Sequence, residues 1–278
     1  MTVEVQRREE TISVLIPVLN GEKFIREALD SVLAQLLASE IIVIDNGSTD
    51  GTLEVIDHYV HIDPRVKLLQ CSEKGVSKAL NTGLANANGT LIARLDADDK
   101  MSLDRLEKQL KVMEENPDLA LVSSQIAYMN SEGIEIGRSR YPVGNLTLLN
   151  HFVFRNPIAH PSVMFRKDSA EKVGNYRTEF EGCEDLDLWI RILRHGKIFS
   201  MSDFLTYYRV HENQITVRSN LYDKELHLRI LYLKELFRLP LNLSLFSILQ
   251  LFRIIDLFLM RSRVVSQLRR KIKSRIGK

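Results

Sequence analysis

Residues 41–48 read Ile-Ile-Val-Ile-Asp-Asn-Gly-Ser, an apolar run that ends in polar turn residues. An uninterrupted apolar run of this length predicts a short strand buried on both faces, and Asp-Asn-Gly predicts the turn that stops it. Similar apolar runs at 12–18, 66–69 and 91–95 alternate with helical patterns. Short apolar strands separated by helices predict a parallel sheet that is covered by helices on both faces.

The helical segments between these strands are predicted from apolar residues at helical spacing. They cover residues 24–33, 52–58, 76–87 and 103–115. Beyond residue 99 the pattern loosens, and it predicts a strand at 119–129, an irregular stretch at 130–161, helices at 184–194 and 222–237, and a strand at 204–210.

The charge of the chain is distributed unevenly. The 278 residues carry 38 Lys and Arg against 36 Asp and Glu, for a net charge of +2. Residues 261–278 hold eight basic residues and no acid, so the tail is +8 and the remaining chain, with 30 basic and 36 acidic residues, is −6. Because the body is acidic, we expect no nucleic-acid partner for the protein as a whole.

Composition excludes several other classes of protein. A hydrophobic content of 45% is too high for a disordered chain, and two cysteines cannot form a disulfide-rich secreted scaffold. The first eleven residues are mostly polar and lack an apolar signal core, which predicts a cytoplasmic location.

The C-terminal segment 239–278 is predicted to be an amphipathic basic helical tail. Residues 241–260 approach the length of a membrane-spanning helix, but Arg253 and Asp256 interrupt them. Apolar residues then recur every fourth position among basic side chains, at Val264, Leu268, Ile272 and Ile276. This pattern favours peripheral contact with the inner face of the cell membrane, and the alternative is helix packing in a homo-oligomer.

Three acidic clusters stand out, at residues 45–50, 96–99 and 184–187. In open α/β sheets, ligands bind beyond the carboxyl ends of the strands, where Asp45 and Asp96 are predicted to lie. Paired carboxylates in such a crevice suit hard cations such as Mg²⁺ or Mn²⁺, which commonly bridge to substrate phosphates. The alternative for any one cluster is a solvated loop.

Three motifs, at residues 13–22 (SVLIPVLNGE), 42–52 (IVIDNGSTDGT) and 93–99 (ARLDADD), resemble those of the family-2 glycosyltransferases. The resemblance extends over about residues 12–215. It implies a GT-A fold, a Rossmann-like mixed α/β sheet flanked by helices, in a domain over residues 1–238. The donor half would cover about 12–130 and the acceptor half about 131–238.

The implied activity is that of a bacterial surface-polysaccharide enzyme. It is the inverting transfer of a hexosyl group from a nucleoside-diphosphate sugar, with UDP expected, to a glycan or lipid-linked acceptor. Two alternatives stay open: a sugar nucleotidyltransferase, and a non-catalytic scaffold on the same fold.

The same resemblance assigns the donor-binding residues. Asp45 matches the carboxylate that accepts a hydrogen bond from the donor base, and Pro17 and Asn20 would wall the base pocket. Asp50 would either contact the donor or cap the helix that begins near Thr52. The segment expected beneath the nucleotide contains Gly75, Ser77 and Asn81.

The metal and catalytic residues are implied by further matches. Asp96 would contact the ribose or the metal, and Asp98 of the DXD motif would bind Mn²⁺ or Mg²⁺ directly. His211 would reach the metal or the diphosphate, the alternative being a surface histidine. Asp185 is the expected general base, with Glu184 as the alternate.

Four other residues carry weaker expectations. His160 is expected on the acceptor side. Trp189 would either stack on an acceptor sugar or, as we favour, pack in the core. Arg94 could form a structural ion pair with one of the neighbouring acids, and Asp187 is expected to be a solvated helix residue.

Overall fold

The computed structural model describes residues 10–147, 151–152 and 156–212, together with Leu228. The predicted tail at 239–278, the domain boundary at 238 and, apart from Leu228, the predicted helix at 222–237 lie outside these residues. Within the described part of the chain, no helix is long and apolar enough to cross a membrane.

The first part of the chain alternates strands and helices. Its elements are β1 Ile12–Val18, α1 Ile25–Leu33, β2 Ala38–Asp45, α2 Thr52–Ile62, β3 Val66–Gln70, α3 Val76–Asn86 and β4 Leu91–Arg94. The second part departs from this alternation. It contains β5 Lys100–Met101, α4 Arg105–Glu115, β6 Leu119–Met129, β7 Glu135–Arg138, β8 Gly144–Leu146, β9 Met164–Arg166, α5 Lys167–Lys172, α6 Glu184–Leu193 and β10 Lys197–Arg209.

The strands form one mixed sheet in the order β3-β2-β1-β4-β9-β6-β10-β5. The first four are parallel, as the alternating pattern predicted. Strand β9 runs antiparallel to both β4 and β6, and β10 is parallel to β6. The predicted fold class, a mixed α/β sheet flanked by helices, is confirmed.

The two faces of the sheet bury different helices. On one face, alternate residues of β1 share a cluster with Ile25 and Leu29 of α1 and with Leu106 of α4. On the other face, α3 approaches so closely that a Cβ atom added at Gly83 would lie 2.9 Å from the Ile44 side chain. A larger residue at this glycine would therefore push α3 away from the sheet.

Two segments differ from the sequence-based expectation. The stretch 130–161, predicted to be irregular, contains β7 and β8, which pair with β6 and β10. Strand β10 begins at Lys197 and not at residue 204, and its register against β6 shifts between Ser200 and Phe204. A register shift breaks the regular inward–outward alternation, so the first half of this strand lacks the periodic pattern that identifies strands.

A buried carboxylate joins the amino-terminal ends of the parallel strands. Glu40 of β2 accepts hydrogen bonds from the Ser13 hydroxyl (2.5 Å), the Lys67 ammonium (2.6 Å) and the backbone N–H of Asn88 (2.6 Å). Burial acts to raise the pKa of this carboxyl group, but these hydrogen bonds outweigh it and lower the pKa to about 2. Glu40 thus connects β1, β2, β3 and the turn that leads into β4.

We expect Glu40→Gln to lower the free energy of unfolding by about 2 kcal/mol at neutral pH. The amide cannot form the ion pair with Lys67, and its NH₂ group faces groups that are themselves hydrogen-bond donors. Folding lowers this pKa from 4.5 to about 2, so the contribution is complete above pH 4.5 and is lost as the pH falls toward 2. Urea unfolding at several pH values should show the difference from wild type shrinking across that range. Glu114→Gln, at an exposed glutamate of α4, is the control, and a difference that stays constant with pH would contradict this assignment.

Candidate active site

Three carboxylates gather directly after β4. Asp96, Asp98 and Asp99 place ligand oxygens within 4.8 Å of one another. Asp99 is buried, and its Oδ1 accepts the backbone N–H of Arg209 at 2.8 Å. Its Oδ2 is also buried and has no hydrogen-bond partner among the described residues. Such a cluster of hard oxygen ligands is the environment that a divalent cation requires.

The electrostatics of this cluster are those of crowded acids. Burial, followed by the charges of Asp96 and Asp98, holds the pKa of Asp99 well above its ordinary value. Burial also raises the pKa of Asp96, although the Arg94 guanidinium opposes that shift. Arg94 is itself buried and forms an ion pair with Asp96, one of the neighbouring acids that the sequence offered as partners.

The end of β10 closes over the cluster. The Nε2 atom of His211 lies 2.8 Å from Oδ2 of Asp98, and the imidazole packs against the Phe24 ring with centroids 5.0 Å apart. Only 17% of the His211 side chain is exposed, which argues against the surface-histidine alternative. Asp96, Asp98, Asp99 and His211 together fit a divalent cation, since they combine carboxylate oxygens with an imidazole nitrogen.

Arg209 is a site residue that the sequence analysis missed. Its buried guanidinium donates to the backbone oxygens of Asp98 and Ser131 and to the carboxylate of Glu27. It also lies 4.6 Å from the centroid of the Phe24 ring. These contacts fix the acidic loop against β10. The only indication in the sequence was that a basic residue lies two positions before His211, a candidate metal ligand.

The loop after β2 carries the residues expected at the donor base. Asp45 is 3% exposed, and its carboxylate accepts the backbone N–H groups of Gly47 at 3.0 Å and Ser48 at 3.2 Å. Asn20 has a left-handed backbone (φ 55°), and its side-chain oxygen accepts the N–H of Thr49 at 2.8 Å. The loops that follow β1 and β2 are therefore joined, as a shared pocket wall requires.

Two residues expected at the donor also have structural contacts. Pro17 lies buried near the end of β1 and pairs in register with Ile44, and its place in the wall of the base pocket stays a prediction. Proline is tolerated there because β1 pairs with β4 only through Leu15. Asp50 accepts the backbone N–H of Thr52, the first residue of α2, at 3.2 Å. This contact fits the helix-capping alternative, and a contact between Asp50 and the donor stays a prediction.

Helix α3, which is expected beneath the nucleotide, contacts another part of the chain. The Ser77 side chain is fully buried, and its contact with the donor stays a prediction. The Asn81 amide donates to the backbone oxygen of Tyr176 at 2.8 Å and accepts the N–H of that residue at 3.0 Å. The N–H groups that follow Gly75 bind the Glu181 carboxylate. These residues hold the loop that precedes α6.

The two candidate bases at the start of α6 have different environments. Asp185 is half-buried, and its Oδ2 accepts the Asn156 amide at 2.7 Å. Glu184 is 7% exposed, and its Oε2 accepts the backbone N–H of Gly182 at 2.6 Å. Burial, then the charge of Asp185, raises the pKa of Glu184 to about 8. Glu184 is therefore mostly protonated at neutral pH.

His160 is a largely buried histidine beside the start of α6. Its Nε2 lies 3.0 Å from the Tyr176 hydroxyl, and its Nδ1 lies 3.8 Å from Oε1 of Glu184. Burial, followed by the charge of Arg94, lowers the pKa of His160 well below its ordinary value. The imidazole is neutral, and it lies between the ion pair at β4 and the acids of α6.

Burial decides between the interpretations of two residues of α6. Trp189 is fully buried, with ring centroids 5.7 Å from both Phe165 and His160, so it packs in the core, as the favoured interpretation held. Asp187, expected to be solvated, is also fully buried and pairs with Arg191 one helical turn later (2.5 Å). Both side chains are buried although they lie two residues apart and so project from different sides of α6.

The sequence matches the family model described as "Glycosyl transferase family 2" over residues 13–174. It is 35% identical to the O-antigen biosynthesis glycosyltransferase WbnJ of Escherichia coli over 218 residues, 76% of this chain and 84% of that protein. It is 30% identical to the amylovoran biosynthesis glycosyltransferase AmsE of Erwinia amylovora, over 74% of this chain and 79% of that protein.

The fold is similar to that of S. aureus TarS. Comparison with the structure of TarS 1–349 in complex with UDP-GlcNAc gives a TM-score of 0.66 at 22% sequence identity. The matched region covers 80% of this chain and 66% of that one. At this level of identity the likeness concerns the fold alone.

We expect Asp187→Asn to destabilise the protein by about 3 kcal/mol, because removing one partner leaves a buried guanidinium without its counter-ion. Asp168→Asn is the matched control, since Asp168 pairs with Lys172 at the same helical spacing but with 59% of its side chain exposed. We expect the control to cost less than about 1 kcal/mol. Chemical denaturation of both variants tests the difference, and equal losses would show that burial of the Asp187 pair does not matter.

Proposed function

We propose a donor, a mechanism and an acceptor class for this chain, which belongs to glycosyl transferase family 2. It moves a hexosyl group, with inversion, from a UDP-sugar to a hydroxyl group of a glycan or lipid-linked acceptor. The observation that carries this proposal is the cluster of Asp96, Asp98 and Asp99 at the end of β4, with His211 against it. The clustered acids suit a metal-bound diphosphate leaving group.

The donor base is bound beyond the carboxyl end of β2. The Asp45 carboxylate is an acceptor-only group, and its two oxygens together offer more lone pairs than the backbone N–H groups of Gly47 and Ser48 use. A uracil imide N–H supplies the complementary donor. The UDP-GlcNAc complex of the similarly folded TarS supports UDP as the nucleotide.

The acidic loop positions the metal ligands. Asp96, Asp98 and His211 would hold Mn²⁺ or Mg²⁺, and the imidazole nitrogen favours Mn²⁺. Such an ion would supply positive charge that offsets the negative charge of the diphosphate leaving group. Arg94 holds Asp96 in place through their ion pair, and Asp99 anchors the loop to the backbone of Arg209.

Asp185 acts as the general base. It takes the proton from the acceptor hydroxyl as that oxygen attacks the anomeric carbon, on the face opposite the leaving diphosphate. Glu184 is the weaker candidate, because its pKa of about 8 leaves it mostly protonated at neutral pH. The Asn156 amide orients the Asp185 carboxylate.

The acceptor belongs to a surface polysaccharide or its lipid-linked precursor. The names of the relatives from E. coli and Erwinia amylovora, which describe O-antigen and amylovoran biosynthesis, support this class. The basic segment 239–278 would place the enzyme on the inner face of the cell membrane, where such precursors are built, with homo-oligomer formation as the other role of that segment.

The two alternative functions have weaker support. A sugar nucleotidyltransferase usually has a glycine-rich basic phosphate loop after the first strand, and residues 17–22 (PVLNGE) do not form one. A scaffold that had lost activity would not need to keep the acidic cluster, the histidine and Asp185 together. Both alternatives predict that no sugar is transferred.

Replacing Asp98 with Ala should abolish the Mn²⁺-dependent part of UDP binding, because it removes a direct ligand of the ion, and the affinity should fall by at least about 100-fold. Isothermal titration of UDP with and without Mn²⁺ measures the effect. Asp118→Ala, at an exposed aspartate that precedes β6, is the control. Unchanged Mn²⁺-dependent affinity in Asp98→Ala would refute the metal role.

Asp185→Asn should reduce transfer by roughly 100- to 10,000-fold, since the amide cannot accept the proton, while UDP binding stays at the wild-type level. The assay is UDP release from a panel of UDP-hexoses with Mn²⁺ and a bacterial glycolipid extract as acceptor. Asp168→Asn serves as the control. If the Asp185 variant transfers sugar at the wild-type rate, the base lies elsewhere.

A further inference from the structure

We propose that Glu181 is a positioning residue that docks the loop bearing the general base onto the N-terminus of α3. The inference rests on the proposed role of Asp185, which lies four residues further along the chain. Glu181 does not match any motif of the family resemblance, and its place in the reaction follows from its contacts alone.

The Glu181 carboxylate binds the first turn of α3 from a distant part of the chain. Its Oε1 accepts the backbone N–H of Val76 at 2.5 Å, and its Oε2 accepts that of Ser77 at 3.2 Å. The cap position before this helix is Gly75, which has no side chain with which to satisfy these donors. A carboxylate at a helix N-terminus also interacts favourably with the helix dipole. Glu181 therefore caps a helix about 105 residues before it in the sequence.

A second contact holds the same loop on the same helix. Asn81 of α3 exchanges two hydrogen bonds with the backbone of Tyr176, at 2.8 and 3.0 Å. Asn81 lies about one helical turn after Ser77, so the two contacts lie along one side of α3. Residues 176–181 are thus attached at both ends to a helix of the donor half.

The start of α3 is in turn tied to the strand end that carries Asp45. The side-chain oxygen of Asn46, the next residue after Asp45, accepts the backbone N–H of Gly75 at 2.8 Å. Its amide nitrogen donates to the backbone oxygens of Glu73 at 2.7 Å and Cys71 at 3.2 Å. Glu181 therefore binds a turn that is held rigidly beside the proposed base-binding residue.

The short segment between Glu181 and Asp185 fixes the position of Asp185 relative to Glu181. The backbone N–H of Cys183 donates to the oxygen of Phe180 at 2.8 Å, and the N–H of Gly182 donates to the Glu184 carboxylate at 2.6 Å. Asp185 follows as the second residue of α6. Because these turns are short and hydrogen-bonded, a shift of Glu181 moves the general base relative to the donor.

Only a carboxylate at position 181 can accept both backbone N–H groups of α3. Two acceptor oxygens face two N–H donors, and a glutamine would offer only one oxygen and turn its own donor toward the second N–H. Glu181→Ala should lower kcat by roughly ten- to a hundredfold, because a misplacement of about 1 Å at the reacting groups has effects of this size. Glu181→Gln should retain part of the activity, and the donor KM should stay within about twofold of wild type.

The experiment compares full-length wild type, Glu181→Ala, Glu181→Gln and the control Glu179→Gln. Glu179 is an exposed glutamate two residues before Glu181. For each protein, kcat and the donor KM are measured by UDP release from the UDP-hexose that wild type turns over, with Mn²⁺ and the glycolipid extract. UDP affinity with Mn²⁺ and the thermal midpoint are measured in parallel. A fall in kcat without a change in UDP affinity, partly restored by Gln, supports the positioning role.

Several outcomes overturn the inference. The inference is wrong if Glu181→Ala keeps the wild-type kcat, or if its loss is confined to UDP affinity or donor KM. It is also wrong if Glu181→Gln is no more active than Glu181→Ala while the two variants have the same thermal midpoint. If Glu181→Ala does not fold, Glu181→Gln alone decides, and a wild-type kcat in that variant contradicts the inference. A separate experiment tests the proposed base. If Asp185→Asn transfers sugar at the wild-type rate, Asp185 is not the base, and the inference about Glu181 is then also wrong.

Discussion

Repulsion among three carboxylates is the main constraint on this site, because ligand oxygens of Asp96, Asp98 and Asp99 lie within 4.8 Å of one another. Like charges at that distance destabilise each other unless cations or hydrogen-bond donors offset them. The protein supplies the Arg94 guanidinium to Asp96, the backbone N–H of Arg209 to Asp99, and the His211 imidazole to Asp98. Each of these groups comes from β4 or from the end of β10, so the cluster depends on the strand order of the sheet.

That strand order explains how distant segments meet. The parallel strands β1, β2 and β4 bring the loops that follow them to one edge, and β9, antiparallel to both β4 and β6, joins these strands to β6 and β10. The buried Arg105 guanidinium helps to hold the junction, because it donates to the backbone oxygens of Arg94, Pro161 and Val163. The acidic loop and the strands β6 and β10 are therefore parts of one packed unit.

Helix α3 links the loop after β2 with the loop that precedes α6. Its first turn is held by Asn46 on one side and by Glu181 on the other, while Asn81 holds the backbone of Tyr176. A helix expected beneath the nucleotide therefore also supports the loop that leads to Asp185.

The local sequence was sufficient to predict the strands that lead to Asp45 and Asp96 and the grouping of acids beyond them. Apolar runs and turn residues act over a few neighbouring positions, and parallel strands place their carboxyl ends together. The same logic predicted the Arg94 ion pair, because its partner lies two residues away. Only the tertiary structure decided the burial of Asp187 and Ser77, the contacts of Arg209 with the acidic loop and the hydrogen bonds of Glu181 to α3. Burial and long-range hydrogen bonds depend on which face of an element another segment covers, and no local pattern in the sequence records that choice.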